Sequence, residues 1–204
     1  ATSNERVYRR AAIKHDSAMQ FWRSDQEWES FAGENYRMCE LRAALGLAQF
    51  DRLPGILERC RRNKRRLLDR ISDLEKITPA RQNDRYGDCG FVVAFYLPTP
   101  EEAREFGGAL AAEGVPNGTI YNKRIPDRHI YTAWDYVLEK RTSDPHGWPW
   151  TAARREIQYH REMLPRTLDI LGRCVTFGLN HRWSRNDVDL AGKAVRKVHH
   201  GLYR

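Results

Sequence analysis

Apolar residues recur at helical steps in two neighbouring stretches. Leu41, Leu45 and Ala48 follow one another at steps of four and three, which predicts a helix over 36–49 with one buried stripe. Leu53, Ile56, Leu57, Cys60, Leu67, Ile71 and Leu74 keep a 3.6-residue period and predict a second helix over 53–77. Lys64 stands at the missing turn, where its stem can lie along the apolar face. Upstream, Ser3 or Asn4 can cap a short helix running to His15, with Val7, Ala11 and the stem of Lys14 facing inward.

The pattern changes beyond residue 78. Residues 78–90 are polar, with Pro79 and two glycines, and predict a loop; the β-branched and aromatic run Gly90 to Leu97 then predicts a buried strand. Thr99, Pro100, Glu101 and Glu102 make a helix start, and Gly114 a stop. Val115 to Tyr121 predicts a weaker strand, so that strand, helix and strand form a β–α–β-like unit. A long, poorly periodic stretch over 117–150 is too rich in Tyr, Trp and His for disorder. A helix over 163–171 and a strand over 174–179 follow. Ser184 caps a last helix with Val188, Ala191, Val195 and Val198 inward. The fold class is therefore α/β with an α+β-like small domain: long linking helices, then a small sheet with helices packed on it. The division expected is 1–77 and 78–204.

Charge narrows the partners. Lys and Arg number 35 against 27 acids, a formal charge of +8, which favours an anionic ligand. Arg59, Arg61, Arg62, Arg65 and Arg66 could track a nucleic-acid backbone, but no recognition motif or interleaved aromatic accompanies them, and a solvated face is the preferred reading. The four cysteines, Cys39, Cys60, Cys89 and Cys174, form no CxxC pair and have no His at zinc spacing, so they read as reduced thiols in a cytoplasmic protein without a metal. No apolar run reaches membrane-spanning length. Ala1 to Asn4 carry no initiating Met or targeting character and read as a cut or processed end.

The candidate chemistry lies in Gly33–Glu34–Asn35–Tyr36–Arg37. An amide and a guanidinium at a helix start suit a phosphate, with Asn35 as the capping residue. The rival reading is a simple cap beside a surface charge. Phe21, Trp22, Trp28 and Phe31 are read as packing a loop against a partner surface. In the second half, Tyr121, His129 and Tyr131, with Lys123 and Arg124, are candidates for binding the hydroxyls or an anionic group of a ligand.

Residues 33–49, GENYRMCELRAALGLAQ, closely resemble the G-x-N-Y-R-M-x-E-L-x-A-A-x-G-L-A-Q signature of the DegT/StrS sugar aminotransferases, which are pyridoxal-phosphate (PLP) enzymes of fold type I. Glu34 stands where that family often has an aromatic, and Cys39 where it often has Ser or Thr. The resemblance continues through Leu168 to Arg173, Trp183 to Asp187 and Lys197–Val198, with Asn180 and His181 where many members have one histidine. It implies the C-terminal portion of a PLP-dependent enzyme that aminates a nucleotide-linked or phosphorylated keto-sugar, with glutamate or glutamine as donor. It further implies that Asn35 reaches the PLP phosphate of another subunit, with Arg37 nearby, in a homodimer that shares its active sites. The alternative is a non-catalytic accessory subunit beside a separate N-terminal PLP-binding chain. The Schiff-base lysine of the family precedes this region, and Lys14, on a charged helix, does not replace it. The chain alone is expected to be inactive.

Overall fold

The computed structural model describes residues 2–15, 28, 31–84, 86–121 and 129–203. Phe21, Trp22, Lys123 and Arg124 lie outside the described residues. The chain divides into two compact units, Ala1–Pro54 and Gly55–Arg204.

In the first unit, α1 spans Glu5–His15. The Val7 amide donates to Asn4 Oδ1 at 3.1 Å, so Asn4 is the cap. The inward residue is Ile13; Val7 and Ala11 are exposed, contrary to the expected stripe. Trp28 and Phe31 pack on this same helix. Trp28 meets Tyr8 edge-on at 5.9 Å and lies under the Arg9 guanidinium, while Arg10 covers Phe31 at 4.5 Å.

A single helix, α2 (Glu40–Ile71), replaces the two expected over 36–49 and 53–77. Pro54 sits inside it, and the unit boundary falls there. A proline removes one ladder hydrogen bond at a cost of about 3 kcal/mol. Arg52 and Leu53 before it, and Leu57, Glu58 and Arg59 beyond Gly55, are strong helix formers and carry the helix past it. Its first half is apolar on one stripe, as expected, but that stripe is not buried: Leu41 is 81%, Leu45 62% and Phe50 69% exposed. Ala48 is exposed as well.

The second unit contains the core. Leu67 and Ile71 of α2, with Leu74 and Ile77 beyond its end, pack against a three-stranded antiparallel sheet. Its strands are β1 (Thr78–Pro79), β2 (Val92–Tyr96) and β3 (Cys174–Gly178), in that order. The register sets Val93 opposite Phe177 and Phe95 opposite Val175. These four fill the core face, and Phe95 meets Phe106 and Phe177 edge-on. Val92, Ala94 and Tyr96 alternate onto the other, half-buried face. Helix α3 (Pro100–Ala112) starts on Thr99, whose hydroxyl accepts from the Glu102 amide at 3.1 Å. Short α4 (Asp135–Leu138) and α5 (Pro165–Gly172) follow. Helix α6 (Arg185–Leu202) opens with a reciprocal Ser184–Asp187 capping box and buries Val188, Ala191, Val195 and Val198.

Two expectations fail here. Residues 115–121 are no strand and complete no β–α–β unit; Gly118 and Thr176 form an isolated antiparallel bridge. Pro116, which falls opposite Gly178 in that register, has no N–H to extend it. Lys64 does not fill the missing turn of α2. Asn63 does: it is 3% exposed and donates to the carbonyls of Asn180 and Trp183 at 3.1 and 3.3 Å. Lys64 turns instead to Asp88, at 2.6 Å.

Candidate functional site

The 33–38 segment is held against the end of α1 through its backbone. The Glu34 amide donates to the Lys14 carbonyl at 2.9 Å, and the Tyr36 amide to that of His15 at 2.7 Å. These bonds satisfy carbonyls that a helix end leaves open. Gly33 permits the approach, since a Cβ there would stand 2.7 Å from the Lys14 oxygen. Along an extended chain, side chains alternate. Glu34 and Tyr36 share one face, where the Tyr36 hydroxyl donates to Glu34 and Lys14 reaches the same carboxylate at 3.4 Å. The Tyr36 hydrogen bond, then the Lys14 ammonium, hold the Glu34 carboxyl below its usual pKa.

Asn35 and Arg37 are both exposed. Asn35 does not cap a helix, because α2 begins only at Glu40. Its Oδ1 accepts from the Arg37 amide at 3.1 Å and closes an Asx turn. With the oxygen so engaged, the amide NH2 is left as the outward group; Nδ2 has no partner among the described residues. Two donor side chains, one neutral and one cationic, therefore stand two residues apart on an exposed edge.

The candidates of the second unit are placed on different elements. Tyr131 is buried, and its hydroxyl is engaged twice: it donates to the Arg161 carbonyl and accepts from the Leu164 amide at 3.2 Å. Arg161 in turn reaches Asp135 at 2.8 Å. Tyr131 thus pins the turn that carries exposed His129. Tyr121 is half-buried under the Arg104 guanidinium, 4.4 Å from the ring centre, and burial pushes its phenol above the usual pKa. Its hydroxyl lies where a Cβ on Gly172 would come within 2.7 Å, so that glycine makes room for it. Asn180 uses its side-chain oxygen on the Arg182 amide and its carbonyl on Asn63.

Two features went unread in the sequence. One is a cleft of about 770 Å³ lined by Val115, Trp183, Lys193 and Lys197, among others. The other is Asp88, on which Lys64, Gln82 and the Gly90 amide converge. The basic face of α2 is partly consumed internally: Arg66 grips Asp189 with two bonds of 2.8 and 2.7 Å, and Arg61 donates to the Asp88 carbonyl. Among the described residues no group of three or more His, Cys, Asp or Glu could hold a metal. No helix among them is long and apolar enough to cross a membrane.

Solved structures place this architecture. The aminotransferase from Psychrobacter cryohalolentis superposes with a TM-score of 0.68 at 18% identity, over 100% of this chain and 51% of its own. The PLP form of Spr1654 from Streptococcus pneumoniae gives 0.66 at 17%, over 100% and 46%. The sugar aminotransferase CalS13 from Micromonospora echinospora gives 0.64 at 14%, over 95% and 45%. The fold is that of the aminotransferases, and the chain spans about half the length of these neighbours. Residues 1–163 match the DegT/DnrJ/EryC1/StrS aminotransferase family. The chain belongs to that family, whose aminotransferases depend on PLP.

The donor set fits one end of that cofactor. The outward amide of Asn35 suits a phosphate oxygen, and Arg37, two residues on, carries a charge of the right sign. The fit covers the phosphate and does not extend to the ring.

Proposed function

We propose that this chain is the C-terminal portion of a PLP-dependent aminotransferase that acts on a keto-sugar, with glutamate or glutamine as amino donor. The observation that carries the reading is the 33–38 segment, which engages Asn35's oxygen internally and leaves its NH2 outward beside Arg37. In this reading residues 1–77 are the end of the large PLP-binding domain with its linking helix, and 78–204 are the small domain. Bound PLP supplies the electron sink for amino transfer. Asn35 donates to the cofactor phosphate of a second subunit, and its neutral amide adds no buried charge. Arg37 balances the phosphate or a substrate anion. Tyr121 and His129 contact the sugar, and Tyr131 fixes the turn from which His129 projects. The exposed stripe Leu41, Leu45 and Phe50 is covered by the rest of the enzyme, either in a homodimer or against a separate N-terminal PLP-binding chain. The enzyme works in the cytoplasm. This chain alone does not transaminate, because the lysine that would move the proton is not supplied by Lys14.

The test is a PLP titration of the assembled enzyme with and without Asn35→Ala. A hydrogen bond to a charged group is worth about 1.5–3 kcal/mol, so the variant should bind PLP roughly ten- to a hundredfold more weakly. Unchanged affinity removes Asn35 from the site. Turnover of an amino donor by the isolated chain with PLP defeats the division of labour.

A further inference from the structure

We propose that Cys60 and Cys89 are a redox pair that can close a disulfide between α2 and the loop entering β2. The sequence separates them by many residues, and the fold brings them together. Both neighbours of Cys89 are fastened to one stretch of α2. On one side, the Asp88 carbonyl accepts from Arg61 Nε at 2.6 Å, and its carboxylate pairs with Lys64 at 2.6 Å. On the other, Gly90 lies against the helix backbone: a Cβ there would stand 2.7 Å from the Cys60 carbonyl carbon and 2.6 Å from the Arg61 nitrogen. Gly90 also has a φ of +76°, a conformation that favours glycine. The Asp88 carboxylate closes the turn by accepting from the Gly90 amide at 2.6 Å. Cys89 is thus suspended between two anchors on residues 60–64, one residue (about 3.8 Å along the Cα trace) from direct contact with Cys60. Disulfides need Cα atoms about 4.4–6.8 Å apart, a range this placement brings within reach.

The two thiols differ as an attacking and a resolving sulfur should. Cys89 is exposed, and Cys60 is buried. Burial holds the Cys60 thiol above its usual pKa; the Arg59 guanidinium opposes this, and a charge on Cys89 adds to it. The first attack therefore belongs to Cys89. With oxidised glutathione as oxidant, the Cys89 thiolate attacks one glutathione sulfur and expels the other half as a thiolate. Cys60 then loses its proton, attacks the Cys89 sulfur and expels the second glutathione. Two protein thiols and one glutathione disulfide become one protein disulfide and two reduced glutathiones. The staple ties the residues that enter β2 to α2 and is undone by a dithiol reductant.

The experiment equilibrates the full chain with increasing oxidised glutathione, quenches it in acid and maps the cysteines by mass spectrometry. The expected end state is a linked Cys60–Cys89 peptide with Cys39 and Cys174 unlinked to it. Cys60→Ser should stop at a glutathione adduct on Cys89, and a Cys39→Ser/Cys174→Ser double variant should still form the link. Four free thiols throughout, a lasting glutathione adduct on Cys89 in the wild type, or a bond joining a different pair would overturn the proposal.

Discussion

The two halves of α2 follow the same rule of spacing and meet opposite fates. Leu67 and Ile71 are buried in one core with the sheet and α6, and Cys60 is buried as well. From Leu41 to Phe50 an equally regular stripe faces solvent. Periodicity says which side of a helix is apolar; it does not say whether the chain itself supplies the surface that covers it. The difference teaches that spacing alone does not decide burial; in the function proposed above the first half of α2 meets a neighbour, and the chain spans about half the length of its structural neighbours.

Mutations can break that contrast. Phe95→Ala removes a fully buried ring that touches two other rings, and should cost the isolated chain about 3–5 kcal/mol in urea unfolding. Asn63→Ala should cost about 1–3 kcal/mol, because it removes a buried amide that donates to two carbonyls. A loss as small as that of an exposed residue would show that water replaces the amide.

Acid provides a milder probe. The Arg66 hydrogen bond first, then the charges of Arg66 and Arg70, hold the Asp189 carboxyl below its usual pKa; Arg196 does the same for Asp73. A depressed folded-state pKa stabilises above the unfolded value, about 3.9, and the benefit disappears as pH falls through the folded one. Unfolding free energy should therefore decline below about pH 4. The decline should be shallower in Asp189→Asn, whose stability at neutral pH is lower to begin with. An identical acid slope in both proteins would dismiss the Arg66–Asp189 pair as a source of stability.

The smallest effect on unfolding should come from Leu45→Asp. An exposed substitution of this kind changes stability by about 0.5 kcal/mol or less. The same variant should lose association with the partner surface. A stability loss of core size would mean that the stripe is already covered within this chain.

Local signals made much of the fold legible. Thr99 with Pro100, and Ser184 with Asp187, start α3 and α6 as read, because capping depends on residues three apart. What depends on distant residues was hidden. The burial of Asn63 needs the carbonyls at 180 and 183, and the absence of a strand at 115–121 depends on where Pro116 falls opposite β3. Helix α2 crosses Pro54 because its flanks outweigh one lost bond. At the candidate site, the family motif around Asn35 and Arg37 was legible, but the Asx turn at Asn35 was not. Tyr131 was singled out through the family resemblance of the segment around His129; its paired hydroxyl became apparent only with Arg161 and Leu164 in place.

The decisive observation is the native mass of the protein from its source cells, recorded together with the PLP absorbance band. We expect these 204 residues, 23.9 kDa in mass, inside a larger PLP-bearing assembly, as part of a longer chain or beside a separate PLP-binding one. A lone 23.9 kDa monomer that transaminates with added PLP would contradict both the role given to Asn35 and the need for a surface over Leu41, Leu45 and Phe50.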